Sequence, residues 1–241
     1  MFLIYQFLGF LLIPIIKLNI FLRILQHKED KNRYYERYGI SKIKRPPGQL
    51  MWIHAASVGE FKSVSAIIDR FHKKFTILVT TTTLTASNYA SDHFSNKIIH
   101  QYAPFDIQIW VNRFLNKWKP SFILWVESDL WPTTLTLIKK KSIKSLLINS
   151  RISPKSFNKW KYVQEFFINI TNTFDEIFAQ SQLDKKRLEF LTKRKIIGIA
   201  NPKKFAFRNI SLYKGKIINM LIFRSYKNFM IFCNSPIVSH F

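Results

Sequence analysis

The chain has 241 residues, enough to bury a sizeable core as one large domain or two modest ones. Its single cysteine, Cys233, excludes an intrachain disulfide and a cysteine-based zinc site and fits a reducing compartment. Lys and Arg number 38 against 14 Asp plus Glu, a formal net charge of +24 that favours nucleic acid, anionic membrane or phosphorylated lipid as partner. A coding bias toward Lys, Ile, Asn and Phe produces the same excess without any ligand.

Residues 1–25 are predicted as a membrane anchor helix. The segment is apolar except for Gln6, Lys17, Asn19 and Arg23 and is broken by Pro14, short of the clean run of about 20 residues that a spanning helix needs. No positive charge precedes it, unlike a cleaved signal peptide. Arg23 near its end and Lys28, Lys31, Arg33 and Arg37 after it point to an anchor on or through the inner membrane with the remaining chain on the cytoplasmic face. The alternative is an amphipathic helix packed on the globular domain. Residues 26–49 read as a basic linker with a short helix.

From residue 50, short β-branched or aromatic runs alternate with longer helical patterns, as in βαβ units on a parallel sheet. Strands are predicted at 50–54, 76–81, 97–102, 122–126, 143–149 and 176–179. Helices are predicted at 60–74, 83–94, 106–118, 131–141, 154–172 and 183–191. The fold class is therefore α/β, a Rossmann-like domain over 50–209. Ligands of such sheets sit beyond the carboxyl ends of the strands.

After the first strand, Ala55-Ala56-Ser57-Val58-Gly59-Glu60 reads as a capping box, with Glu60 reaching back to the Ser57 amide. Gly59 in a first helical turn costs stability unless something approaches the backbone closely, and a carboxylate here is placed to act as a general base. After the fourth strand, Trp125-Val126-Glu127-Ser128-Asp129-Leu130-Trp131-Pro132 sets two carboxylates before a helix start. No His or Cys joins them to make a metal site. Asp129 is a helix-cap candidate, whereas Glu127, facing the cleft, needs a partner or a task. In Asn149-Ser150-Arg151-Ile152-Ser153, Arg151 either grips a phosphate or carboxylate or pairs with Glu127 or Asp129. Alone, 180–184 and 198–205 read as loop and turn.

As an ordered set, these strings resemble the Kdo transferases of lipopolysaccharide synthesis. The match comprises Glu36-Arg37-Tyr38-Gly39, His54 to Glu60, Pro104-Phe105-Asp106, Asn112-Arg113-Phe114-Leu115, Glu127 to Pro132, Asn149 to Ser153 and Ala179-Gln180. The resemblance implies a GT-B glycosyltransferase whose N-terminal Rossmann-like domain binds lipid A precursor (lipid IVA) while a second domain binds CMP-Kdo. It also implies cytoplasmic-side membrane association and no metal or other cofactor. By resemblance, Glu60 is the catalytic base of an inverting transfer and Glu127 and Lys203 stabilise the transition state, with Ser57, Gly59 and Arg151 on the acceptor side. The family's Gly-Asn-x-Lys-Phe string is kept only loosely at 200–205, and the family's glycine near Thr85-Ala86-Ser87 is missing.

Beyond Phe205 no resemblance to a donor-binding domain is expected, and residues 190–241 hold ten Lys or Arg and no acid. Residues 210–241 are expected to be a basic tail, a truncated or frame-shifted remnant, leaving a chain inactive alone unless a separate chain supplies the donor domain. A rival from another class is a non-catalytic, basic, membrane-associated protein that binds lipid or nucleic acid. No specific nucleic-acid motif accompanies its charge.

Overall fold

The computed structural model describes residues 2–127 and 129–196, residue 3 by its backbone alone, and by backbone the short strands at 198–199, 211–213, 216–218, 223–225 and 228–230. Six parallel strands form the body of the sheet: β1 (Leu50–His54), β2 (Thr76–Thr81), β3 (Ile99–Tyr102), β4 (Phe122–Val126), β5 (Lys144–Ser150) and β6 (Glu176–Ala179). A short β7 (Gly198–Ile199) extends it in a segment read from sequence as loop and turn. The order is β3-β2-β1-β4-β5-β6-β7, so the direction of winding reverses between β1 and β4. The carboxyl ends of those two strands flank the crevice of a doubly wound sheet.

Alternation along each strand feeds two cores. Leu50 and Trp52 of β1 pack with Phe114, Trp118, Trp125, Leu135 and Phe167 on one face, and Met51 and Ile53 pack with Phe61, Val64, Ile68 and Phe71 on the other. The second group explains helix α3 (Val58–Phe71), whose buried residues recur every three or four positions. The remaining domain helices are α4 (Leu84–Phe94), α5 (Gln108–Trp118), α6 (Pro132–Lys140), α7 (Pro154–Tyr162), α8 (Gln164–Thr171) and α9 (Gln182–Thr192). The single helix predicted at 154–172 is two, broken at Val163, whose ψ of 38° leaves the helical region. The break lets α8 turn Phe167 and Ile170 into the core, whereas α7 only rests Phe157 and Trp160, partly buried, against it.

The N-terminal segment is also divided, into α1 (Phe2–Leu11) and α2 (Ile13–Leu25), bent by 52°. Pro14, lacking an N–H, sits in the first turn of α2, where helices tolerate proline best. Among the described residues no single helix is long and apolar enough to cross a membrane, although the bent pair passes by length and composition. One stripe docks on the domain: Ile20 is buried, and a β-carbon on Gly9 would stand 3.2 Å from Ile107. Ile4, Phe7, Phe10, Ile15, Leu18 and Leu25 are among the side chains left exposed.

The linker is an ordered clamp. Its short helix is a 3₁₀ turn, Tyr34–Tyr38, ending on Gly39 at φ +70°, where a β-carbon would lie 2.0 Å from the Trp110 carbonyl oxygen. Buried Arg37 is paired with Glu29 at 3.0 Å and donates to the Thr82 carbonyl at 2.6 Å. Glu36 pairs with Arg33 and accepts the Tyr102 amide at 2.7 Å. The motif around Glu36 and Arg37 thereby fixes the chain just beyond β2 and at the end of β3. Two small antiparallel hairpins, β8 (Ser211–Tyr213) with β9 (Lys216–Ile218) and β10 (Phe223–Ser225) with β11 (Asn228–Met230), occur in the segment read as an irregular tail.

Candidate functional site

At the end of β1 the chain passes His54, Ala55 and Ala56 to Ser57, whose extended backbone makes it the N-cap of α3. The Ser57 hydroxyl oxygen accepts the Glu60 amide at 3.3 Å and donates to Glu60 Oε1 at 3.1 Å. Glu60 Oε2 accepts the Ala56 amide at 2.7 Å. This corrects the expected box: the carboxylate passes the Ser57 amide and closes on the residue before it. A β-carbon on Gly59 would meet only Ser57 Oγ, at 3.8 Å, so no close approach within the described chain accounts for that glycine.

Glu60 is buried, and burial raises its carboxyl pKa from 4.5 to about 7. The Ala56 and Ser57 hydrogen bonds oppose the rise, while the negative charges of Glu127 and Asp129 add to it. The two carboxylates that follow β4 therefore act on the one that follows β1, across the crevice.

Glu127 has φ +63° and faces Asn149 at φ +55°. Left-handed backbone costs a non-glycine residue about 1–2 kcal/mol, and such strain gathers at functional sites. Here it is held by two bonds: the Glu127 amide donates to the Ile148 carbonyl at 2.9 Å, and Asn149 Nδ2 donates to Glu127 Oε1 at 3.2 Å. Burial raises the Glu127 pKa, Arg151 lowers it and Asp129 raises it again. Arg151 is exposed on the β5–α7 connection, which α9 secures through the Ile152 amide to Asp184 at 2.9 Å and Arg187 to the Ile152 carbonyl at 2.8 Å. Arg151 thus acts electrostatically on Glu127, in the direction of the pairing expected from sequence.

Asp129 does not cap α6. The N-cap is Trp131, with no side-chain bond, and the free amides of Thr133 and Thr134 go to Asp106, at 2.9 and 2.7 Å. Asp129 is exposed, and its carbonyl accepts the Trp125 indole N–H at 2.8 Å. Beneath these acids lies His54, fully buried, with ring centroids 4.3 Å from Trp125 and 4.6 Å from Trp131. Its Nδ1 meets Thr80 Oγ1 at 2.9 Å, and burial pushes its pKa down to about 3, so it is neutral. His54 Nε2, Asn149 Oδ1 and Ser150 Oγ are buried without hydrogen-bond partners among the described residues. Gln101 Nε2 and Thr133 Oγ1 are buried in the same way, and ordered water or a ligand would satisfy all five.

The structure therefore brings Ser57, Gly59, Glu60, Glu127 and Arg151 to one end of the sheet. Lys203 lies outside the described residues. His54, Asn149 and Asp106 received no role in the sequence reading. A histidine closing an otherwise apolar strand was the available signal for the first, but the other two act only through residues distant in sequence. No group of three or more His, Cys, Asp or Glu side chains among the described residues is placed to hold a metal ion. A cavity of about 480 Å³ at the opposite end of the sheet, lined in part by Gln49, Lys74, Thr76 and Ile99, is remote from the acids.

A family model described as 3-deoxy-D-manno-octulosonic-acid transferase (kdotransferase) matches residues 32–207. The chain belongs to that Kdo transferase family. The matched span contains Glu60, Glu127, Arg151 and Lys203 and leaves out α1 and α2. A 3-deoxy-D-manno-octulosonic acid transferase of Rickettsia bellii is 35% identical over 234 residues, 96% of this chain and 56% of that protein. That match therefore reaches into the segments on both sides of the family span. A probable mitochondrial 3-deoxy-D-manno-octulosonic acid transferase of Arabidopsis thaliana is 36% identical over 159 residues, covering 65% of this chain and 36% of the relative. The chain spans about half the length of the curated relatives it matches. Among solved structures, UDP-GlcNAc 2-epimerase from Neisseria meningitidis bound to UDP-GlcNAc resembles it with a TM-score of 0.47 and 12% identity, over 65% of this chain and 48% of that one.

Proposed function

We propose that this chain carries the acceptor-activating part of a GT-B Kdo transferase, which moves Kdo from CMP-Kdo to lipid IVA with inversion in lipopolysaccharide synthesis. The observation that carries the reading is Glu60, a buried carboxylate with a pKa of about 7 at the strand-order reversal, beside two further acids. A base whose pKa lies near the working pH combines a useful ionised fraction with real proton affinity.

In this reading Glu60 takes the proton of an acceptor sugar hydroxyl. The freed oxygen pair forms the glycosidic bond at the anomeric carbon of Kdo. The bond from that carbon to the CMP phosphate breaks, and its electron pair leaves on the phosphate oxygen. Glu127 keeps Glu60 basic by charge, and Arg151 restrains Glu127. Lys203 is assigned to the negative charge developing on the leaving phosphate. Ser57 orients Glu60, and Gly59 leaves the helix face open to the acceptor.

The exposed apolar side chains of α1 and α2, followed by Lys28 and Lys31, support a seat on the cytoplasmic face of the inner membrane, where a lipid acceptor is presented. The test supplies lipid IVA in micelles and CMP-Kdo to the purified full chain, alone and mixed with a donor-domain chain from a relative. Saturable lipid IVA binding is expected of the chain alone, and sugar transfer of the mixture. Glu60→Ala should lower transfer by about 100-fold or more while keeping the binding. Undiminished transfer by Glu60→Ala, or no saturable binding of lipid IVA, would overturn the reading.

A further inference from the structure

Helix α6 starts with a problem that its own sequence does not solve. Trp131 at the N-cap offers no side-chain oxygen, and Pro132 has no N–H, so the amides of Thr133 and Thr134 are the first that need outside acceptors. Both find Asp106, on the connection between β3 and α5, and the Thr134 hydroxyl donates to the same carboxylate at 2.6 Å. An anion at a helix N-terminus is favoured there by the peptide dipoles. A fourth donor is Tyr5 of α1, whose hydroxyl reaches Asp106 Oδ2 at 3.0 Å. Helix α1 also touches α6, and its Gly9 lies against Ile107, the residue after Asp106.

Between the end of β4 at Val126 and the start of α6 at Pro132 lie only residues 127–131. The sheet fixes one end of this connection and the first turn of α6 fixes the other. The Glu127 backbone is strained, so its geometry persists only while both ends are held.

We propose that Asp106 is a positioning residue for the transfer site: it holds the connection bearing Glu127 and Asp129 in place and, through Tyr5, ties that connection to the seat of the apolar helix α1. The proposal rests on the reading of Glu60 and Glu127 as the transfer site, but its test uses no sugar transfer. A chain that fails to bind lipid IVA would sink that reading without touching the readouts below.

Hydrogen exchange on the full chain in detergent micelles compares wild type with Asp106→Asn, which keeps the shape but turns one acceptor into a donor. Exchange across 127–135 should rise about ten-fold, as for a lost helix cap, with β1 and β2 unchanged. Tyr5→Phe should speed exchange across 2–11 and, by a smaller factor of about two to three, across 127–135. A plain cap would do no more than this. A positioning residue also moves Glu60: its carboxyl midpoint should fall in Asp106→Asn, because Glu127 and Asp129 raise it only while held close, and His54 nearby is neutral. If Asp106→Asn does not fold, Thr134→Val removes one contact to the same oxygen and should move both readouts in the same direction. Unchanged exchange across 127–135, or faster exchange with an unmoved Glu60 midpoint, overturns the proposal.

Discussion

The two strand-to-helix junctions that meet in the crevice hold their acids in different ways. At the β1–α3 junction the hydrogen bonds to the Glu60 carboxylate among the described residues come from within four residues, and the backbone is relaxed. At the β4–α6 junction Glu127 sits at positive φ, its side chain is steadied by Asn149, and the helix start is capped from Asp106. For the proton transfer proposed for Glu60, a short, self-contained turn keeps the carboxylate in one orientation. The second acid is held by long-range contacts, so its placement depends on strand β5, on the β3–α5 connection and, through Tyr5, on the N-terminal helix.

The contrast can be broken at either junction. Asp106→Ala should lower the unfolding free energy by about 2 kcal/mol, since two amides, a hydroxyl and a dipole partner are lost together. Urea unfolding measures this, and a loss no larger than that of an ordinary surface substitution would mean that α6 caps itself. Ser57→Ala removes a local N-cap and should cost about 1 kcal/mol by the same measurement. It also deletes a hydrogen bond that lowers the Glu60 pKa, so the Glu60 midpoint should rise. Glu127→Gly should go the other way, gaining up to about 1 kcal/mol by releasing left-handed strain, while the proposed Kdo transfer by the mixture with a donor-domain chain falls. A destabilised Glu127→Gly would show that the side chain contributes more to folding than the strain costs. Arg151→Ala, the smallest effect, should change stability by less than about 0.5 kcal/mol and raise the Glu127 pKa, which carboxyl NMR would report.

Much of the fold was legible because its elements are locally encoded. The bounds of β1, β2, β4 and β6 agree with the runs of β-branched and aromatic residues that predicted them, and Ser57 with Glu60 announced the start of α3. The break at Val163 was not visible, because residues 154–172 carry helical patterning on both sides and only docking of α8 sets the change of direction. Asp129 was a reasonable cap by spacing. It lost the role to Asp106 because a carboxylate arriving from another connection reaches both free amides of α6 at once. The N-terminal apolar segment was recognised by composition and its break by Pro14, but its Tyr5 contact depends on the domain beneath it.

The proposed role of Glu60 as a base requires that the fold hold its carboxyl near neutrality. Burial raises its folded-state pKa from 4.5 to about 7, so the folded chain binds this proton more tightly than the unfolded chain does. On this group alone, the stability contribution is fully present below about pH 4.5, declines as pH rises and is gone above about pH 7. The direct measurement is the titration of the Glu60 carboxyl carbon by NMR in the full chain, assigned by the signal missing from Glu60→Gln. A midpoint near 7 is the predicted result. A midpoint near the ordinary value of 4.5 would contradict it and leave Glu60 as no more than a helix cap.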